Sequence, residues 1–395
     1  MSDDASRVHD AYERTPYPSR ASLRVGAGSP TVPSNWVNAV VWPSAALHET
    51  SRILVAGCGT GHEAARLATE LPGAEVVAVD FSAESIAIAE DMKREGFPGR
   101  VQFEVADLTR DLSRFGAFDF VTCNAVADYA PDSVALLANL SRVLKPTGVL
   151  YLGVNSQHHP AGRLARGLGT LGVSADSFRD TGDQRAALRL AAAIMGDDAK
   201  IAGFAQGSAA WLQVEMFPAF AHHRPIDAWL SEAVDAGLNF RGSLNTPFAL
   251  AGISDIDLPM LYGLDRGGVA QLVEGLRLNH MLPMLFTVSE PVEPPWADFD
   301  ALQSWKPTTH PCVAPERIKP LSDDWMTQRF LAIQSPGLPE LRLNLSAYML
   351  ELFRLADGTR SVAQLRAAIQ PIAPDEHVRA ALFRGYHASV LYMAP

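Results

Sequence analysis

Cysteine is scarce in this chain: Cys58, Cys123 and Cys312 are the only three in 395 residues. An odd, sparse set does not build a disulfide framework, and it reads as a protein kept reduced in the cytoplasm. Long apolar runs are missing too. No segment approaches the roughly 18 unbroken apolar residues of a membrane helix. The opening residues MSDDASRVHD are acidic and polar, unlike a signal peptide, so no membrane partner is expected. Positive charge is in deficit. The chain has 33 Lys and Arg against 44 Asp and Glu, a net charge of −11, with no basic cluster to offset it. A nucleic-acid partner is therefore not expected. His158 and His159 are adjacent, but two neighbours do not complete a metal site and nothing nearby in sequence supplies partners, so no metal is expected. Low-complexity tracts and internal repeats are absent as well.

What is present is organised around residues 52–80. Residues 53–56 (ILVA) form a short apolar run without polar alternation, the pattern of a strand buried on both faces of a parallel sheet. Gly57, Gly59 and Gly61 follow and let the backbone turn sharply against a ligand. Residues 62–71 put Ala64, Ala65, Leu67, Ala68 and Leu71 on one helical face. Residues 76–79 are a second buried strand, with Asp80 at its carboxyl end. The result is a βαβ unit with an acid placed for a ribose diol, at the end of the sheet where open α/β folds bind ligands.

The spacing narrows the nucleotide. The dinucleotide fingerprint G-x-G-x-x-G needs its third glycine at position 62, where His62 stands; Gly61 comes one residue early. His62 does not suit the close helix–strand packing that seats a pyrophosphate on the helix N-terminus. A ligand with ribose and adenine but no phosphates fits better. VAGCGTG followed by VVAVDFS resembles motif I and its acidic partner in class I S-adenosylmethionine-dependent methyltransferases. The resemblance implies S-adenosylmethionine as cofactor, with S-adenosylhomocysteine as product. It also implies a cofactor site built on Gly57, Cys58, Gly59, Gly61, Asp80 and Phe81.

Further strands are expected at 101–105, 118–124, 149–154, 238–244 and 284–289, with helices between them and a turn at 145–148. The order implies a doubly wound, seven-stranded, mostly parallel α/β sheet. In the family the acid after the third strand, here Asp107, reaches the adenine amino group, and Leu108 lies along the ring. The alternative is that Asp107 only caps the next turn. Asn124 ends the fourth strand on the cofactor side. Many relatives carry V-L-H-H after that strand; this chain has Asp128 and Tyr129, which leaves the acceptor contacts open. If methyl transfer uses a base, the candidates are His158, His223, Tyr129 and Asp128.

Flanking segments complete the expectation. Residues 1–50 read as an N-terminal arm whose Trp36, Val40, Val41 and Trp42 pack onto the core. Its Y-E-x-x-P-Y-P element resembles a subgroup related to bacterial protein-lysine methyltransferases and to repeat-bearing methyltransferases. That implies a lid with Tyr12 and Tyr17 over the cofactor; the alternative is an arm held on the surface by its rings. The methyltransferase domain is expected over 51–290, with a helical cap insertion at about 160–225. Residues 291–320 are rich in proline and read as a semi-rigid linker. Residues 321–395 read as a small winged-helix-like domain that docks a protein or peptide, or only stabilises a homodimer or buries the cap. Three functions follow: methylation of a protein or peptide side chain, methylation of a small molecule, or a catalytically silent cofactor-binding scaffold.

Overall fold

The computed structural model describes residues 3–18, 34–44, 47–96, 100–170, 172–174, 177–178, 180–195, 203–250, 253, 255–311, 319–320, 329–333, 341–345, 347–369 and 374–395. The chain divides into two compact units. The first comprises Met1–Val32, His48–Leu238 and Leu278–Pro283; the second comprises Pro33–Leu47, Asn239–Arg277 and Met284–Pro395.

The helices that matter here are α1 (Asp3–Arg14), α2 (Ser34–Val41), α3 (His62–Glu70), α4 (Ala83–Arg94), α5 (Ser133–Arg142), α6 (Pro160–Gly169) and α7 (Thr181–Met195). The strands are β1 (Arg52–Ala56), β2 (Glu75–Asp80), β3 (Arg100–Val105), β4 (Phe118–Asn124), β5 (Leu144–Asn155), β6 (Asn239–Ser243) and β7 (Met281–Thr287). They form one seven-stranded sheet in the order β3-β2-β1-β4-β5-β7-β6, with β1 to β5 parallel and β6 antiparallel to β7. The expected α/β class therefore holds. Among the described residues no helix is long and apolar enough to cross a membrane.

Burial explains why the first strands were readable. Leu54 pairs with Val77 on one side and Val121 on the other, and all three are buried at 1% exposure or less. Each such side chain contributes about 1.5–3 kcal/mol by leaving water. Helix α4 starts where Ser82 accepts a hydrogen bond from the Ser85 backbone N–H at 3.0 Å. Asp132 caps α5 through the Ala135 N–H at 2.9 Å. The turn expected at 145–148 is absent as a break: β5 already begins at Leu144. Leu144 faces Phe118 and Val149 faces Phe120, so Lys145, Pro146, Thr147 and Gly148 bulge opposite Asp119 alone. Lys145 Nζ anchors the bulge on the Asp119 carboxylate at 2.8 Å.

After β5 the first unit carries the helical insertion. Helices α6 and α7, and a short helix Ala209–Trp211 that widens into a π turn at Leu212–Met216, enclose Leu164, Leu188, Leu212, Met216 and Phe217.

The second unit departs from the expected boundaries. Residues 33–47 belong to it: Trp36 donates its indole N–H to the Leu244 carbonyl at 3.3 Å, and Trp42 packs on Tyr392. Residues 1–50 are thus not one arm. The stretch 291–320, read as a linker, holds a helical turn at Phe299–Leu302 and a strand at Lys306–Thr309 that pairs antiparallel with Leu391–Ala394. Trp296, Leu302 and Trp305 are buried there, so apolar anchoring outweighs the prolines. Downstream come helices Ala347–Leu355, Val362–Ile369 and Asp375–His387 and a small antiparallel sheet of Lys319–Pro320, Arg329–Ile333 and Leu341–Leu345. The strand after the third helix pairs with Lys306–Thr309, which lies upstream of all three helices. Within this core Arg384, 1% exposed, pairs with Asp255 at 2.6 Å.

Candidate cofactor and acceptor site

A cavity of about 1130 Å³ opens in the first unit at the carboxyl ends of β1, β2 and β4, with α1 along one side. Its floor is the glycine turn. Gly57 has φ +75° and Gly59 φ +51°, a region that L side chains rarely adopt. A Cβ on Gly57 would overlap Val126, and one on Gly59 would overlap the Tyr17 carbonyl oxygen. The turn is held from behind: Gly57 N–H and Cys58 N–H both donate to the Val79 carbonyl, at 2.8 and 2.9 Å.

Asp80 stands where the sequence placed it. Its Oδ2 accepts the Gly59 N–H at 2.8 Å and its Oδ1 accepts the Ser82 N–H at 3.0 Å. Burial raises its pKa, against the pull of those backbone donors. A carboxylate has about four acceptor positions, so Asp80 keeps capacity for a ligand hydroxyl. Phe81 lies next to it and meets the Tyr12 ring edge-on at 5.7 Å. Helix α1 is fastened to this corner by Glu13, which accepts the Ala83 N–H at 2.7 Å. Tyr12, Tyr17 and Pro18 all line the cavity, and Thr60 ties the strap by donating its hydroxyl to the Pro18 carbonyl at 2.7 Å.

Farther along the wall, Asp107 and Leu108 follow β3. Asp107 Oδ1 accepts both the backbone N–H and the hydroxyl of Thr109, at 2.9 and 2.7 Å. Its Oδ2 faces Arg110 Nε at 3.4 Å. The turn-capping alternative is thus realised, while Asp107 still lies on the cavity wall.

At the end of β4, Asn124 donates to Glu63 Oε2 at 3.4 Å, and Thr122 donates to Glu63 Oε1 at 2.6 Å. Sequence reasoning missed Glu63, although an acid in the first turn of α3 was a visible signal. Tyr129 forms part of the wall. Its hydroxyl donates to Glu215 Oε2 at 3.1 Å and accepts from Asn155 Nδ2 at 2.8 Å. Tyr17 also hydrogen-bonds Glu215. Glu215 sits on the π turn of the insertion and was missed as well. Its one signal was an acid inside the apolar run AWLQVEMF.

Three of the four candidate bases lie off the cavity wall. Asp128 is fully buried behind Tyr129, where its Oδ2 accepts the Asn155 N–H at 3.1 Å. Burial pushes its pKa up to about 7, and it is not among the residues that line the cavity. His223 stacks on His159, with ring centroids 5.4 Å apart and planes 3° from parallel, and His159 meets His280 edge-on at 6.2 Å. Burial drives His223 down to about 4 and His159 to about 3, so both rings are neutral packing groups. His158 uses its backbone N–H on Ser156 Oγ at 3.0 Å and does not line the cavity. Only Tyr129 among the four reaches it. Among the described residues no group of three His, Cys, Asp or Glu is placed to hold a metal.

Residues 47–161 match a family model described as a methyltransferase domain. The chain is 36% identical to trans-aconitate 2-methyltransferase of Deinococcus radiodurans over 115 residues, 29% of this chain and 42% of that protein. It is 33% identical to ubiquinone biosynthesis O-methyltransferase of Xanthomonas oryzae over 123 residues, 29% of this chain and 47% of that one. The chain thus spans less than half the length of these curated relatives. PKMT2 from Rickettsia typhi, solved in complex with AdoHcy, superposes with a TM-score of 0.56 at 14% identity, covering 93% of this chain and 77% of that one; this likeness is one of fold. Sheet order, glycine turn and matched family model together mark residues 47–161 as a methyltransferase domain. The turn that no Cβ can occupy and the recessed Asp80 carboxylate suit the nucleoside of S-adenosylmethionine, the methyl donor expected from the sequence.

Proposed function

We propose that this protein transfers a methyl group from S-adenosylmethionine to a side chain of a protein or peptide, in the cytoplasm. The observation that carries the acceptor class is the second folded unit, with its buried core around Phe383 and its Arg384–Asp255 pair, which the methyltransferase domain does not need for its own sheet-end cavity. The fold likeness to PKMT2 over most of the chain supports the same reading.

In this proposal Gly57, Cys58, Gly59 and Gly61 pass the methionine end of the cofactor. Asp80 holds the ribose hydroxyls, Asp107 and Leu108 take the adenine, and Phe81, Asn124, Tyr12 and Tyr17 close the site. The bound cofactor supplies an electrophilic methyl on a sulfonium. The chain supplies orientation and a site shielded from water, and orientation alone is worth on the order of 7–11 kcal/mol. A small-molecule acceptor is the second reading, favoured by the names of the trans-aconitate and ubiquinone relatives.

One incubation separates them. Purified protein with methyl-tritiated S-adenosylmethionine is given protein from a host lysate in one tube and a small-molecule extract in another. Label that migrates with a polypeptide is the expected result. Label only in the extract replaces the first reading with the second, and tight cofactor binding with no label anywhere leaves a silent scaffold.

A further inference from the structure

A second cavity of about 330 Å³ lies between α1 and residues 213–220 of the insertion. It shares Val8, Tyr12, Tyr129 and Val214 with the larger cavity, so these residues form a common wall. At that wall Glu215 faces the larger cavity and collects the hydroxyls of Tyr129 and Tyr17. Burial raises the Glu215 pKa; the two phenol hydrogen bonds favour the carboxylate but bring no counter-charge. Among the described residues no Lys, Arg or His pairs with Glu215, and the ionisable groups that interact with it, Tyr12, Tyr17, Tyr129 and Asp128, include no cation. A recessed carboxylate without a counter-charge is costly unless a cation arrives to pair with it.

We propose that Glu215, ringed by Tyr12, Tyr17 and Tyr129, is the acceptor-selecting group, and that the acceptor is an aliphatic amine entering through the smaller cavity. The inference rests on the methyl-transfer reading given above. Aromatic faces attract an ammonium group, and a carboxylate beside them fixes its position. An alcohol of the same shape would leave the charge on Glu215 unpaired, and a carboxylate acceptor would be repelled by it. Arg7 and Arg14 on the outer side of the smaller cavity are exposed, so salt screens them from an amine at Glu215. Before it can be methylated, the nitrogen gives up one proton and keeps its lone pair; Glu215 is the group placed to take that proton. Aromatic residues Phe217 and Phe220 line the smaller cavity and suit the alkyl stem of such a group.

The test is equilibrium binding on the full chain, with n-butylamine, n-butanol and butyrate as probes in saturating S-adenosylhomocysteine, read by ligand-observed NMR. Wild type is expected to bind butylamine at least tenfold more tightly than butanol, and Glu215→Gln to bring the two within threefold. Butanol or butyrate binding as well as butylamine in wild type overturns the inference, and this arm needs no variant. So does an amine preference that survives Glu215→Gln, or a Glu215→Gln loss confined to S-adenosylhomocysteine, which would assign the carboxylate to the cofactor. Wild type that fails to bind S-adenosylhomocysteine removes the underlying reading and this inference with it. Saturable binding without amine preference removes this inference alone.

Discussion

Replacing Asp80 by alanine removes two oxygens that now hold the Gly59 and Ser82 backbone N–H groups at 2.8 and 3.0 Å. It also removes the acceptors proposed for the ribose hydroxyls. A hydrogen bond to a charged group contributes about 1.5–3 kcal/mol, and water replaces part of what is lost. A net loss of about 2.8 kcal/mol corresponds to about a hundredfold weaker cofactor binding. Stability moves for two opposed reasons: the freed N–H groups lose partners, whereas a buried charge disappears. Burial raises the Asp80 pKa, so carboxylate-dependent binding should strengthen as pH rises through that pKa and fade below it. The assay is isothermal titration of S-adenosylhomocysteine into wild type, Asp80→Ala and Asp80→Asn. Asparagine keeps an oxygen for Ser82 but offers an amide N–H toward that of Gly59, so it should fall between the other two. Wild-type affinity in a folded Asp80→Ala protein would refute the assignment of this carboxylate.

Further predictions concern the turn, the buried acid and the core. Gly59→Ala puts a methyl against the Tyr17 carbonyl and should weaken S-adenosylhomocysteine binding at least tenfold. Gly167→Ala, with nothing within 4 Å, should leave binding unchanged in the same titration. Asp128 has a folded pKa of about 7 against 3.8 for the free group, so the stability it contributes is complete below 3.8 and is lost as pH rises through 7. Asp128→Asn lacks that loss; thermal melts should show the variant gaining on wild type by a few kcal/mol between pH 4 and pH 8, at about 1.36 kcal/mol per unit. A difference that does not change with pH would contradict the burial of that acid. Leu54→Ala should cost about 2–5 kcal/mol in urea unfolding, because its strand is enclosed on both sides.

The first βαβ unit was legible because a strand buried on both faces has to be a continuous apolar run, and 53–56 and 76–79 are such runs. Asp80 followed from its place at a strand end. The histidines misled for a physical reason. Their position after β5 puts His158 and His159 at the correct end of the sheet, but a short polar segment can turn its rings either way. Here His159 stacks on His223 instead of facing the cavity. Glu215 reaches Tyr129 across 86 positions of sequence, and no local pattern encodes that approach. The proline-rich stretch was misjudged because Pro307 sits in a two-stranded pairing beside Met393, where a missing N–H costs little. Its tryptophans, not its prolines, decided the outcome.

Photo-crosslinking tests directly where S-adenosylmethionine binds. Methyl-tritiated S-adenosylmethionine is irradiated with the full chain, and labelled peptides are mapped by mass spectrometry. Label is expected in peptides carrying Tyr12 and Tyr17, the Gly57–Gly59 turn, Phe81 or Leu108, all abolished by excess S-adenosylhomocysteine. Competable label confined to peptides outside these segments, or no competable label at all, would contradict this placement.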